Sequence, residues 1–334
     1  MQRLPFATVQ GNQSWRRLGA RRMGQRLRVL ALGMKKSLLS WIMMLDCLKL
    51  EQCKGQDVKA TARRIATSML ILQWLGAPTS GQTPTLKNIE LCNDRDRTSH
   101  PQIDGCTALI ESGNQSPDVL AKAYNNRGNH YTRDGEYDRA IQDYDQSIKI
   151  NPSYPKAFNN RGVAYQKKGE YERATKDFDE ALRLEPNYSI AFVNRAETYQ
   201  KMGEYDRAAE DYEESIRLQP TLQEAWSGRC WCYAVLGKLE RALADCNEAL
   251  RLEPKIALTF ESRGFTYLRM GQWNLAIDDY SSALRLDPNL ASSLYGRGLA
   301  ALKKGDRTRG NADIAAAKAI KAKIADEFAR YGLQ

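Results

Sequence analysis

Side chains with chemical reach are few in this sequence. Its 334 residues include two histidines, His100 and His130. A multi-histidine metal centre is thereby excluded, and a catalytic dyad built on imidazole would have to use one of these two. Seven cysteines are present; Cys230 and Cys232 stand two apart on a helical stretch, face different ways and have no ligand-spaced CxxC beside them. No loop groups a nucleophile with an acid and a base, and no glycine-rich loop would cradle a phosphate. The sequence offers instead an ordered supply of opposite charge. Arg127, Arg161, Arg195, Arg229, Arg263 and Arg297 recur every 34 residues, and sixteen residues after each comes an aspartate: Asp143, Asp177, Asp211, Asp245, Asp279 and Asp313. A guanidinium can bond a carboxylate through two parallel N–H groups. The two columns therefore predict a ladder of partly buried, structural ion pairs rather than a basic stripe for anionic ligands.

The elements that must hold such a ladder follow from the same period. Six blocks of 34 residues begin at Ala121, Pro155, Ser189, Gln223, Ala257 and Ala291. Each opens with a large apolar residue (Tyr124, Phe158, Phe192, Trp226, Phe260, Leu294). Seven residues on, Tyr131, Tyr165, Tyr199, Tyr233, Tyr267 or Ala301 lies on the same helical face. A small residue between them, Gly128 in the first block, permits close helix approach. A glycine then ends the first helix of every block, from Gly135 to Gly305. A second helix carries Ala140 and Tyr144 or their counterparts, and in five blocks a proline, from Pro152 to Pro288, closes it. A helix, a turn and a second helix cannot bury an apolar face alone, so neighbouring blocks must stack. Fourteen of the 29 aromatic residues fall in three of these columns, which makes them core before they are stacking platforms for a ligand.

With these columns in view, the chain resembles the tetratricopeptide repeat (TPR) proteins from Ala121 to about Lys323. Arginine replaces the usual leucine just before the small residue in all six blocks. The resemblance implies an all-α, right-handed α-solenoid, with a degenerate N-terminal cap over 82–120, six repeats over 121–324 and a C-terminal capping helix over 325–334. Asp313 to Arg330 reads as one helical run. It also implies a concave groove for peptides, lined by the second, fifth, ninth, twelfth and thirteenth residues of each block. The early blocks place Lys122, Asn125, Asn129, Arg133, Lys156, Asn159 and Lys167 there, and the late ones Trp231, Leu258, Phe265, Leu268, Tyr295, Leu299 and Leu302. The groove is expected to be polar and basic at one end and apolar at the other, with the apolar half open to a partner or covered by the C-terminal helix. The family's carboxylate clamp is only partly echoed, by Asn126, Asn129, Asn160 and Asn194, since Ile190 and Val193 stand where polarity is wanted. The functional expectation is a non-catalytic adaptor for a protein or peptide, with no cofactor, no metal and no nucleic acid; the sequence leaves oligomeric state open.

Net charge is +10, but it sits at one end. Up to Leu86 there are 14 Lys/Arg against 3 Asp/Glu, and from Lys87 onward 36 against 37. Lys59 to Arg64 precede an apolar run from Ile65 to Ala77 and a small-residue exit, the order of a secretory signal over 58–81. It is too short to span a bilayer, which takes roughly 20 apolar residues. Because it begins some 60 residues inside, Val58 is an alternative start, and residues 1–57 are expected to be an Arg-rich segment that is disordered or not part of the mature protein. Leu38 to Leu45 after Lys35 and Lys36 is a second, shorter signal candidate. Export would put the chain in a periplasmic or secreted setting and predicts a disulfide between Cys92 and Cys106; Cys230 and Cys246 read as core thiols. The rival reading is a cytoplasmic or membrane-associated protein whose basic tail binds membrane or nucleic acid, with the array as spacer.

Overall fold

The computed structural model of the protein describes residues 84–93 and 99–333. The Arg-rich segment and both signal candidates lie outside the described residues. Within them the chain is helical, without strands: α1 (Pro84–Asn93), α2 (Ser99–Glu111), α3 (Pro117–Arg133), α4 (Tyr137–Ile150), α5 (Pro155–Lys168), α6 (Tyr171–Leu184), α7 (Ser189–Met202), α8 (Tyr205–Leu218), α9 (Gln223–Val235), α10 (Leu239–Leu252), α11 (Ala257–Arg269), α12 (Trp273–Leu286), α13 (Ala291–Lys303), α14 (Arg307–Ile320) and α15 (Ile324–Arg330). Each helix from α1 to α14 packs on the next, and the first helices of successive blocks also touch one another. This is an all-α solenoid of two-helix units.

Local chemistry sets the boundaries. Pro117 and Ser116 start α3 four residues before the block does: the proline fills the first turn, and the serine hydroxyl accepts from the Val119 amide at 3.4 Å. The block glycines from Gly135 to Gly305 all take φ between 74° and 88°, a left-handed conformation that costs other residues a Cβ clash. Every second helix ends at the same place, on Asn151, Glu185, Gln219, Glu253, Asp287 and Lys321. The last of these corrects the expectation of one helical run from Asp313 to Arg330. The repeat's phase closes α14 at Ile320 even though Ala322 replaces the proline, and the chain turns before α15.

Close approach explains the small residues. A Cβ on Gly128 would lie 2.7 Å from the Tyr144 ring, and one on Gly162 would lie 2.7 Å from Phe178. Tyr212 is buried and reaches into the next repeat, where an added Cβ on Gly228 would collide with its phenol. Gly228→Ala is therefore expected to destabilise the fold by about 1–3 kcal/mol, because a buried ring on two helices cannot shift cheaply. The unfolding midpoint by circular dichroism checks this; an unchanged midpoint would mean that α8 and α9 separate freely.

Candidate functional site: the concave face

The arginine column is anchored first. Nε and Nη2 of Arg127 donate to the two carboxylate oxygens of Asp143 at 2.7 Å each. The same fork recurs at Arg161–Asp177, Arg195–Asp211, Arg229–Asp245, Arg263–Asp279 and Arg297–Asp313, with no bond longer than 2.9 Å. The arginines lie 14–21% exposed and the aspartates 6–11%. Burial lifts the carboxyls of Asp177, Asp211 and Asp245 above their usual range against the pull of the arginines.

A third arm is absent from the sequence reading. Nη1 reaches back to the preceding repeat, from Arg161 to Asp145, from Arg195 to Asp179 at 2.6 Å, and from Arg263 to Asn247 at 2.8 Å. The signal was available: a polar column stands sixteen residues before each arginine as well as sixteen after. In the first five blocks the guanidinium also lies between the two aromatic columns, 5.5 and 5.9 Å from the Tyr124 and Tyr131 rings in the first. One side chain thus ties together both helices of its own repeat and the second helix of the previous one.

The polar half of the face differs from expectation in its asparagines. Asn125 and Asn159 are buried, not offered to a ligand. They belong to a chain of side-chain amides in which Asn194 donates to Asn159 (2.9 Å), Asn159 to Asn160 (3.1 Å), Asn160 to Asn125 (2.9 Å), Asn125 to Asn126 (3.2 Å) and Asn126 to Asn93 (2.9 Å). The pairing of adjacent asparagines in two blocks makes this possible, because the first accepts from the repeat after and the second donates to the repeat or unit before. Asn129 accepts from the Tyr144 hydroxyl at 2.8 Å. Lys122, Arg133, Lys156 and Lys167 are exposed; Lys122 pairs with Asp118 at 2.7 Å. The Arg133 guanidinium lies 2.9 Å from His130 Nδ1. A guanidinium only donates, so Nδ1 is the acceptor in this contact.

The apolar half is closed by the chain itself. Phe265 and Leu268 are 1% and 2% exposed, and Tyr295 and Leu299 are buried as well. Helix α15 lies over them: Phe328 packs 4.8 Å from the Tyr295 ring and 6.1 Å from Phe265, and Tyr331 packs edge-on 5.7 Å from Trp231 and 5.5 Å from Phe265. Of the two alternatives the sequence leaves for this half, open to a partner or covered by the C-terminal helix, the structure shows the covered one at these positions. Their apolar character is the reason, since it gives the amphipathic last helix a place to bury Ile324 and Phe328. Leu302 lies against Gly310 of α14, while Leu258 stays 59% exposed.

Among the described residues the cysteines are all buried. Cys92 on α1 and Cys106 on α2 are joined, with Cα atoms 4.6 Å apart. Cys230 and Cys246, read above as core thiols, are also joined across α9 and α10, with Cα atoms 5.3 Å apart. They fill the small-residue and aromatic columns that elsewhere meet as glycine and ring, so the fold itself brings them together. Cys232 is a buried thiol that burial pushes up to about 12. Peptide mapping of unreduced protein is therefore expected to link 92 to 106 and 230 to 246, with Cys232 alkylated only after denaturation. Labelling of Cys232 or Cys246 in the native protein would contradict it. Among the described residues no group of three or more metal-ligating side chains occurs, and no helix is long and apolar enough to cross a membrane.

Two family profiles match the chain, one described as Tetratricopeptide repeat over 155–188, 189–222 and 224–256, the other as TPR repeat over 128–169 and 266–305. Among solved structures, a tetratricopeptide repeat protein from Parabacteroides merdae superposes with a TM-score of 0.57 at 19% identity, covering 75% of this chain and 99% of that one. The APC/C hetero-tetramer Cut9–Hcn1 gives 0.58 at 18%, covering 74% and 51%, and Pseudomonas aeruginosa pilF gives 0.56 at 18%, covering 64% and 99%. At such identities the likeness is one of fold. No curated protein matches the sequence significantly.

Proposed function

Because this chain belongs to the tetratricopeptide repeat family, we propose that it is a non-catalytic adaptor holding an extended acidic segment of a partner protein against α3, α5 and α7. The observation that carries the reading is the division of the concave face. Its C-terminal half is filled by the chain's own α15, whereas Lys156 and Lys167 are exposed in the N-terminal half on positions that stacking does not use. Cations there favour a ligand rich in carboxylates, with association weakened by salt. The amide chain beneath them fixes the helices on which they stand. Two joined cysteine pairs favour an oxidising compartment as the place of work.

Binding of a fluorescent dodecapeptide of alternating glutamate and serine to the full chain tests the proposal by anisotropy. Saturable, salt-sensitive binding is expected, and the double variant Lys156→Glu, Lys167→Glu should lose at least about tenfold, the equivalent of some 1.4 kcal/mol. Equal binding by that variant rejects the groove. Capture of the full chain by anionic vesicles without peptide binding would favour the tail-tethered reading instead.

A further inference from the structure

Beneath α15 lies a cavity of about 430 Å³ whose lining the fold does not account for. Trp231, Phe265, Phe328 and Tyr331 supply aromatic surface, Glu261 a carboxyl group and Tyr280 a phenol. The Tyr280 side chain is fully buried, yet its hydroxyl has no hydrogen-bond partner. Sister repeats show what is missing. Tyr144 donates to Asn129 at 2.8 Å, and Tyr212 donates to Gln200 at 3.2 Å. At those two places of the repeat α11 carries Phe265 and Leu268, so Tyr280 has lost the acceptor that the architecture otherwise provides. A buried hydroxyl of this kind wants a polar group from outside the fold.

Glu261 is the second polar group of the lining. Ser292 and Ser293 each lie 2.7 Å from its Oε2, which leaves the lone pairs of Oε1 for another donor. Burial raises the proton affinity of this carboxyl, while the two hydroxyl donors and Lys321 pull it the other way. The charged groups also lining the cavity are Lys321 and Glu327, and these pair with each other at 2.6 Å. The lining thus holds two acidic groups to one cation, beside three rings whose centroids lie 4.9, 5.5 and 5.7 Å apart. A carboxylate, a phenol oxygen and aromatic surface form the environment that takes an organic cation: the carboxylate and phenol accept N–H bonds, and the rings attract the adjoining methylenes and the charge.

We propose that this cavity is a binding site for an alkylammonium group, held by Glu261 and Tyr280 and walled on one side by α15. The site is separate from the basic half of the groove and takes a ligand of opposite charge. A bound ammonium contacts both the array and α15, so it fastens the last helix in place.

The test is calorimetric titration of the full chain with n-pentylammonium, with pentan-1-ol as neutral isostere and acetyl-Gly-Lys-Gly-amide as a peptide-borne ammonium. The proposal expects saturable one-to-one binding of an ammonium and none of the alcohol. Glu261→Gln, which keeps the shape, should weaken binding at least about tenfold. Tyr280→Phe should weaken it about threefold or more while melting no lower than the parent, since no protein bond is lost. Tighter binding of the peptide than of the free amine assigns the site to a partner's lysine, and the reverse order assigns it to a small amine; either supports the site. Equal affinity for the alcohol, an unaffected Glu261→Gln variant, or no binding of either amine overturns it.

Discussion

Asp211→Ala is expected to destabilise the array by about 3 kcal/mol, which corresponds to roughly 6–10 °C in its unfolding midpoint. The cost comes from what is left behind. Arg195, only 19% exposed, would lose both bonds of its fork and keep Asp179 alone. Removing one partner of a buried pair strands the other charge, typically at 3–5 kcal/mol. The exposed Asp179, itself a weak partner in water, places the value at the low end. Replacing Arg195 by Met in the same molecule removes the stranded charge and should recover more than half of the loss. Thermal unfolding of the single and double variants decides this: a single variant that melts like the parent would show that the ladder carries no stability.

Phe328→Ala is expected to release α15. Truncating a buried phenylalanine costs about 3–5 kcal/mol, but a seven-residue helix at the chain end has a cheaper escape than global unfolding: it undocks. The loss should therefore appear locally, as hydrogen exchange in 324–330 accelerated by about a hundredfold or more, with α3 to α8 unchanged. Exposed Phe265, Tyr295 and Trp231 should then bind an apolar dye. Amides of α15 as protected as in the parent would show that Ile324 and Tyr331 hold the helix without Phe328.

These two sites differ in how far they can be read from sequence. A repeat copies each environment six times, so the Arg127 and Asp143 columns, the block glycines and the ring positions announce themselves by recurrence. The same recurrence fixed where α14 ends, and it outweighed the missing proline that had suggested a longer helix. What does not recur stays hidden. The docking of α15 happens once, between residues some 30 to 100 positions apart; no column reports it, and the sequence leaves it as one of two alternatives. Asn125 and Asn159 were assigned to the groove by helical phase, which locates a side chain on its own helix but ignores the neighbouring repeat that covers it. The bond between Cys230 and Cys246 escapes the sequence for the opposite reason: columns read only as shapes to fill give core thiols, although columns that meet as glycine and ring in one block meet as two sulfurs in another.

The amide chain from Asn194 to Asn93 has a consequence for how such a molecule can change length. Every link leads toward the N-terminal cap, each Nδ2 giving either to the preceding repeat or unit or across to its sequence neighbour. A duplicate of 155–188 inserted after Leu184 and its turn would bring one receiver and one giver, and the thread would close around it without a loose end. The C-terminal half has no such freedom, because α15 can seal only the fixed span between Trp231 and Tyr295. The protein is thus extensible at one end and of set length at the other, and lineages that lengthen or shorten it should do so among the early repeats.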